Sequence, residues 1–476
     1  MRRGYRDTTF RHVPKPFGVC ISLILLVAAP AGAQVGAITP EMLAKLRTGL
    51  VIDTHTKAVM NAVAANGVRS LSLDREQAAG VNHYFTHRIK TEGITDQKSS
   101  GRCWLFAGLN IMRPIASASL KTKSFEFSQN FLFFYDKLEK ANLFLESIIA
   151  TRNRPIEDRD VEWLLKNPFP DGGQWNMVLA LIEKYGAVPS DVMPETESSG
   201  NTGAMNDAIS TYLRKCAARL RSPDAARLGD DRLRAEKERM LGDVFRMLAI
   251  HLGVPPERFT WRCERADGTV TEPREYTPRQ FFDAHVGMNL REYVCLYSIP
   301  SRPFDRLYQI RFDRNVFDQP NMTFANIPMN LMKELTLKSV LANDPVWFGC
   351  DVGKESDSKL GVMKRGLYDY ASLYGVDLGM DKATRVLYQE STPSHAMVII
   401  GVDMIGGKPE KWLVENSWGA KAGKNGLFAM YDGWFDEYVY AVILHKKYLP
   451  KQVADIFTQE PVELPPWDPM FTMWLH

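Results

Sequence analysis

The chain has 476 residues, with 45% hydrophobic and 24% charged side chains. It is therefore too long for one average domain and too apolar for a disordered tail. A net charge of only +3 excludes the strongly basic surface that would make nucleic acid its main partner.

At the start of the chain, Arg2, Arg3, Arg6, Arg11 and Lys15 outnumber the single acid Asp7. An apolar run over 17–29 follows, then Pro30-Ala31-Gly32-Ala33. A basic head, an apolar stretch and an Ala-x-Ala end predict a secretory signal over 1–33, cut after Ala33. The run is shorter than the roughly 20 apolar residues that span a bilayer. No later segment is long and apolar enough either, so no stable membrane anchor is expected. The protein is expected to be exported, either periplasmic or secreted.

Residues 34–90 read as an N-terminal helical extension, with an amphipathic pattern over 40–66 carried by Met42, Leu43, Leu46, Leu50 and Val51. Residues 91–190 read as a helical lobe. A polar turn over 95–100 leads into an apolar helix starting at or just before Cys103, and further helices are expected over 127–144 and 177–185. A loop over 168–173 carries Gly172-Gly173. Residues 191–340 are predicted to be a helical insertion, charged and mostly helical over 207–252 with a break near Pro223. The texture then changes. Short apolar runs at 396–402, 412–416 and 427–430, separated by Gly-rich turns, predict a β-rich lobe over 341–450. Residues 451–476 form a C-terminal arm stiffened by Pro465, Pro466 and Pro469. Helices first and strands last give the α+β class.

Six cysteines are present, and loss of Cys20 with the signal leaves an odd number, so one thiol stays free unless two chains are bridged. His and Cys do not cluster at metal-ligand spacing, so no metal is expected. Cys103 stands out by context. At a helix start, free N–H groups and the macrodipole favour the thiolate, which lowers a thiol pKa and supplies a nucleophile. Gln97, six residues earlier across a turn containing Gly101, can aim its amide at the point faced by the Cys103 N–H. Two converging donors are what a developing oxyanion needs. A thiolate also needs a base. Among nine histidines, His395 lies at the mouth of an apolar strand, which holds an imidazole firmly. Asn416 ends the next strand and can accept the His395 ring N–H, fixing its tautomer, while Trp418 can cover that bond.

The segments around 97–104, His395 and Asn416 resemble the papain-like cysteine peptidases. Lys98-Ser99-Ser100-Gly101-Arg102-Cys103-Trp104 is similar to the bleomycin hydrolase and aminopeptidase C branch of that family. So are Asp136-Lys137-Leu138-Glu139-Lys140-Ala141-Asn142, Asp171-Gly172-Gly173-Gln174-Trp175, Pro345-Val346-Trp347-Phe348-Gly349-Cys350-Asp351-Val352 and Leu464-Pro465-Pro466-Trp467-Asp468-Pro469-Met470. Roughly 290 residues part Cys103 from His395, against roughly 130–150 in ordinary papain relatives, and the insertion accounts for the excess. Ser100 replaces the first Cys of the general papain motif, so the disulfide made there by secreted relatives is not expected.

The resemblance implies a papain-like two-lobe fold with a large helical insertion. It also implies a cysteine aminopeptidase acting on peptides through a thioester, without a cofactor, and a homo-oligomer, specifically a hexamer. It places Gly172 and Gly173 on the substrate wall. It places the chain's last residues in the cleft, where the terminal carboxylate of His476 meets the substrate's α-ammonium. The ending 471–476 differs from the short small-residue ending of the branch, which keeps a papain-like endopeptidase as an alternative. A non-catalytic binding protein on the same fold is the other, although Gln97, Cys103, His395 and Asn416 are all present.

Overall fold

The structure is a computed structural model that describes residues 35–472. The chain divides after Gly67 into two compact units. The expected signal and His476 lie outside the described residues.

In the first unit, helix α1 (Pro40–Gly49) starts at Thr39, whose hydroxyl accepts the Met42 N–H, and helix α2 (Thr54–Ala65) starts at Asp53, which accepts the Thr56 N–H. The single amphipathic run expected over 40–66 is therefore two helices, because Asp53 caps a new one. Neither helix buries a residue. The helical extension expected over 34–90 is also shorter than its sequence suggested. Residues after Gly67 belong to the second unit, where the Asp74 N–H bonds Leu367 O and His87–Arg88 pairs with Val402 and Gly401.

The second unit is built on helix α3 (Cys103–Leu120), buried along most of its circumference, with α4 (Gln129–Ala150) and α5 (Trp175–Tyr185) packed beside it. Ser128 caps α4 by accepting the Phe131 N–H. Two further helices, α6 (Gly203–Leu220) and α7 (Asp230–Leu252), are separated by a turn at Pro223, as expected, and both pack on α4.

A mixed sheet forms the other side. Its strands in chain order are β1 (Tyr293–Tyr297), β2 (Arg306–Ile310), β3 (Thr323–Asn326), β4 (Val346–Cys350), β5 (His395–Ile405), β6 (Lys408–Glu415), β7 (Leu427–Tyr431), β8 (Val439–His445) and β9 (Val462–Leu464). The spatial order is β9-β2-β3-β1-β8-β4-β5-β6-β7, continued by two two-residue strands. Three strands of this sheet, and a separate two-stranded ribbon of Phe259–Trp261 with Arg274–Tyr276, thus lie inside the segment 191–340 expected to be a helical insertion. Helices run to His285, and after the three strands a further helix, Met329–Leu341, closes the segment. The three strands span four or five residues and pair over distance, β1 with β8, so no local period announces them. The C-terminal arm likewise adds β9, parallel to β2.

Strand β5 is buried on both faces. Ala396, Val398 and Ile400 join the core beneath the helices, while Met397 and Ile399 join a second core. That explains its unbroken apolar run. Helix α3 packs directly on β4 and β5, which brings the start of the helix to the start of the strand. Among the described residues, no helix is long and apolar enough to cross a membrane.

Candidate active site

The site forms where α3 meets β5. Cys103 opens α3 with its side chain buried, and the N–H of Ala396, the residue after His395, reaches the Cys103 sulfur along with the helix-start N–H groups of Cys103 and Trp104. His395 is the first residue of β5, paired with Cys350 of β4. Its Nε2 donates to Asn416 Oδ1 at 2.8 Å, which leaves Nδ1 as the free ring nitrogen. Asn416 Oδ1 also accepts the Ser417 N–H at 2.7 Å, so the amide is held from two sides. Trp418 packs on the imidazole with ring centroids 4.8 Å apart and the planes inclined at 32°.

Gln97 is fixed by partners that the sequence did not announce. Its Oε1 accepts from Ser417 Oγ at 2.6 Å, its backbone N–H donates to Ser417 O at 2.8 Å, and its Nε2 donates to Ser100 O at 2.7 Å. One Nε2 hydrogen remains for an incoming oxygen. Ser417 therefore ties the donor loop before Cys103 to the turn that carries Asn416. Its only sequence signal was its position between Asn416 and Trp418.

The electrostatics differ from the expectation. The thiol was expected to be lowered by the helix start. Burial instead pushes Cys103 up to about 11, against the three N–H groups that favour the thiolate. Burial also draws His395 down to about 4, against the Asn416 bond that favours its protonation. The reason is that both groups are shut away from water, which the local sequence could not report. Burial thus disfavours the charged form of both groups.

Gly172 and Gly173 follow Asp171 in the loop facing the nucleophile helix. A Cβ on Gly173 would lie 2.6 Å from the Trp104 indole, so only glycine lets the loop pack so closely on the residue after Cys103. Behind it, the Trp104 Nε1–H donates to Asp171 O at 3.0 Å and Lys140 Nζ donates to Gly172 O at 2.7 Å. Arg102 is buried and paired with Glu195 through bonds of 3.0 and 2.7 Å, fixing the residue before the nucleophile. Neither Arg102 nor the buried charges near Asp171 were recognised from sequence. The available signal was a basic residue beside or within an apolar helix, Arg102 just before α3 and Lys137 and Lys140 within α4.

The arm ends its described course on the same side. Phe471 stacks near Trp163, with centroids 5.6 Å apart, and shares with Gly172 and Lys140 the lining of a small cavity. All five described cysteines are free thiols.

Known proteins resemble this chain along most of its length. The family described as Peptidase C1-like matches residues 37–471. An aminopeptidase C of Lactobacillus delbrueckii subsp. lactis is 39% identical over 415 residues, covering 86% of this chain and 92% of its own. Human bleomycin hydrolase is 38% identical over 443 residues, covering 90% of this chain and 97% of its own. The crystal structure of PepW from Lactobacillus rhamnosis superposes with a TM-score of 0.88 at 40% identity, covering 92% of this chain and 99% of that one. The chain accordingly belongs to the Peptidase C1-like family, as a papain-like cysteine peptidase of the aminopeptidase C and bleomycin hydrolase type.

Proposed function

We propose that this cysteine aminopeptidase removes N-terminal residues from peptides with Cys103 as nucleophile and His395 as its proton partner. The carrying observation is the 2.8 Å bond from His395 Nε2 to Asn416, at the strand start whose next N–H meets the Cys103 sulfur. The substrate carbonyl is attacked by sulfur as the thiol proton passes to His395 Nδ1. Burial disfavours the charged form of both groups, which favours transfer in step with attack. The oxyanion takes the free Gln97 Nε2–H and the Cys103 N–H. His395 then protonates the leaving amine, giving the thioester, and activates water to release the new acid. Asn416 holds the ring, Trp418 shields their bond, and Gly172-Gly173 lines the substrate side. No metal or cofactor enters these steps.

Exopeptidase selection is assigned to the residues beyond Thr472. Phe471, near the end of the described arm, lines a cavity together with Gly172 of the substrate loop. A carboxylate there, such as that of His476, would meet a substrate α-ammonium. Removal of 473–476 is expected to weaken hydrolysis of free amino-acid amides and to strengthen cleavage of N-acetylated peptides. Equal handling of both substrates by the two forms would make the endopeptidase reading the better one.

Export rests on residues 1–33, and sequencing the protein's N-terminus from its native host should find it beginning near Gln34. An intact Met1 would overturn export. A homo-oligomer, by resemblance a hexamer, is testable by light scattering of the purified protein, where a monomer would remove it.

A further inference from the structure

Behind Gly172-Gly173 lies a buried set of four charges, Asp136, Lys137, Lys140 and Asp171, for which the proposed chemistry has no use. Asp171 is its hub. One carboxylate oxygen accepts from Lys137 Nζ at 2.9 Å and from Asn206 Nδ2 at 2.7 Å. The other accepts from Thr202 Oγ1 and from the Gly101 N–H at 3.3 Å. Gly101 lies two residues before the nucleophile, while Thr202 immediately precedes α6 and Asn206 lies in its first turn, where the macrodipole also favours an anion. Burial alone would raise the Asp171 carboxyl. The Lys137 charge and the bonds from Thr202, Lys137 and Asn206 outweigh it and hold the group well below the usual carboxylate range.

We infer that Asp171 is a positioning residue that fixes the spacing between the Gly172-Gly173 wall and the nucleophile loop, and that α6 controls it through Thr202 and Asn206. The inference rests on the reading of Gly172-Gly173 as substrate wall. Asp171 is covalently the start of that wall and non-covalently the partner of Gly101, so its carboxylate joins the two sides of the cleft floor. Two of its donors come from α6, in the segment that lengthens the chain between Cys103 and His395. The helix thus has a physical route to substrate binding without touching substrate.

The test uses the full chain with Thr202→Val and Asn206→Ala, which leave Asp171 charged and compensated by Lys137. Asp171→Asn serves as a harsher variant if it folds. Thr202→Val is expected to raise KM for a free amino-acid amide about three- to tenfold, with kcat within about twofold and Tm nearly unchanged, and Thr202→Ser should restore KM. Alkylation of Cys103 supplies the second readout. An aminoacyl chloromethyl ketone, which uses the wall, should label the variant several-fold more slowly than wild type, whereas chloroacetamide, which does not, should label both alike. Wild-type KM and labelling rates in both variants would overturn the positioning role. So would a KM change that tracks a falling Tm and is not rescued by Ser. If wild-type enzyme itself shows no preference for the aminoacyl reagent over chloroacetamide, the wall reading fails first, and the inference falls with it.

Discussion

Two polar sites of similar depth, the Cys103–His395 pair and Asp171, resolve burial in opposite ways. At Cys103 and His395, burial wins. The thiol is pushed up and the imidazole down, which disfavours the charged form of both. At Asp171, equally hidden, the carboxylate stays charged because Lys137, Thr202, Asn206 and Gly101 surround it. Lys137 is drawn down by burial to about 8, yet stays charged at neutral pH beside Asp171. The difference lies in the number of partners. A reacting pair has to leave lone pairs free for substrate, so it cannot collect the hydrogen bonds that would hold a charge. A supporting pair spends every lone pair on the protein and becomes rigid.

The largest expected effect separates the two most sharply. Cys103→Ala or His395→Ala should cut kcat by about 10⁴- to 10⁶-fold while the thermal midpoint stays within a few degrees. Retained activity in either variant would remove the pair from the chemistry. Lys137→Met should do the reverse. It strands a buried Asp171 and is expected to cost about 3–5 kcal/mol of stability in denaturant unfolding, with the titration behaviour of the Cys103–His395 pair unaltered. A variant as stable as wild type would show that the cluster is not the rigid member of the comparison.

Gln97→Ala should lower kcat by about 10²- to 10³-fold, the loss usual for one oxyanion donor, with KM little changed. Ser417→Ala, which frees Gln97 Oε1 from its 2.6 Å bond, should produce a smaller loss of the same kind. Unchanged kcat in Gln97→Ala would move the oxyanion site elsewhere.

The smallest effect concerns protonation. The pair works while it holds one proton, so kcat/KM should fall on the acid side through a limb near 4, where His395 takes up a second proton. The Asn416 bond favours the protonated ring, so its loss lowers the His395 value further. Asn416→Ala should therefore move the acid limb to lower pH, with a rate loss on the order of tenfold at neutral pH. A limb displaced upward would contradict the assigned direction of that bond.

What could be read locally was read from the sequence. The apolar period after Cys103 gave the helix, the apolar run from Ala396 gave a strand, and the order Gln97, Cys103, His395, Asn416, each in its local context, named the chemistry. Each rests on a pattern within a few residues, and each such pattern has a physical cause in helix or strand geometry. Tertiary structure alone decided the rest. Tyr293–Tyr297, Arg306–Ile310 and Thr323–Asn326 became strands because distant partners, β8 and β9 among them, supply their hydrogen bonds. The Cys103 thiol is pushed up, not down as expected, because packing of α3 on β4 and β5 removes water, and the field of a helix start does not outweigh that burial. Asp171 became a hub because four donors from three separate segments converge on it. Burial and long-range pairing are properties of the folded chain as a whole, and no window of the sequence contains them.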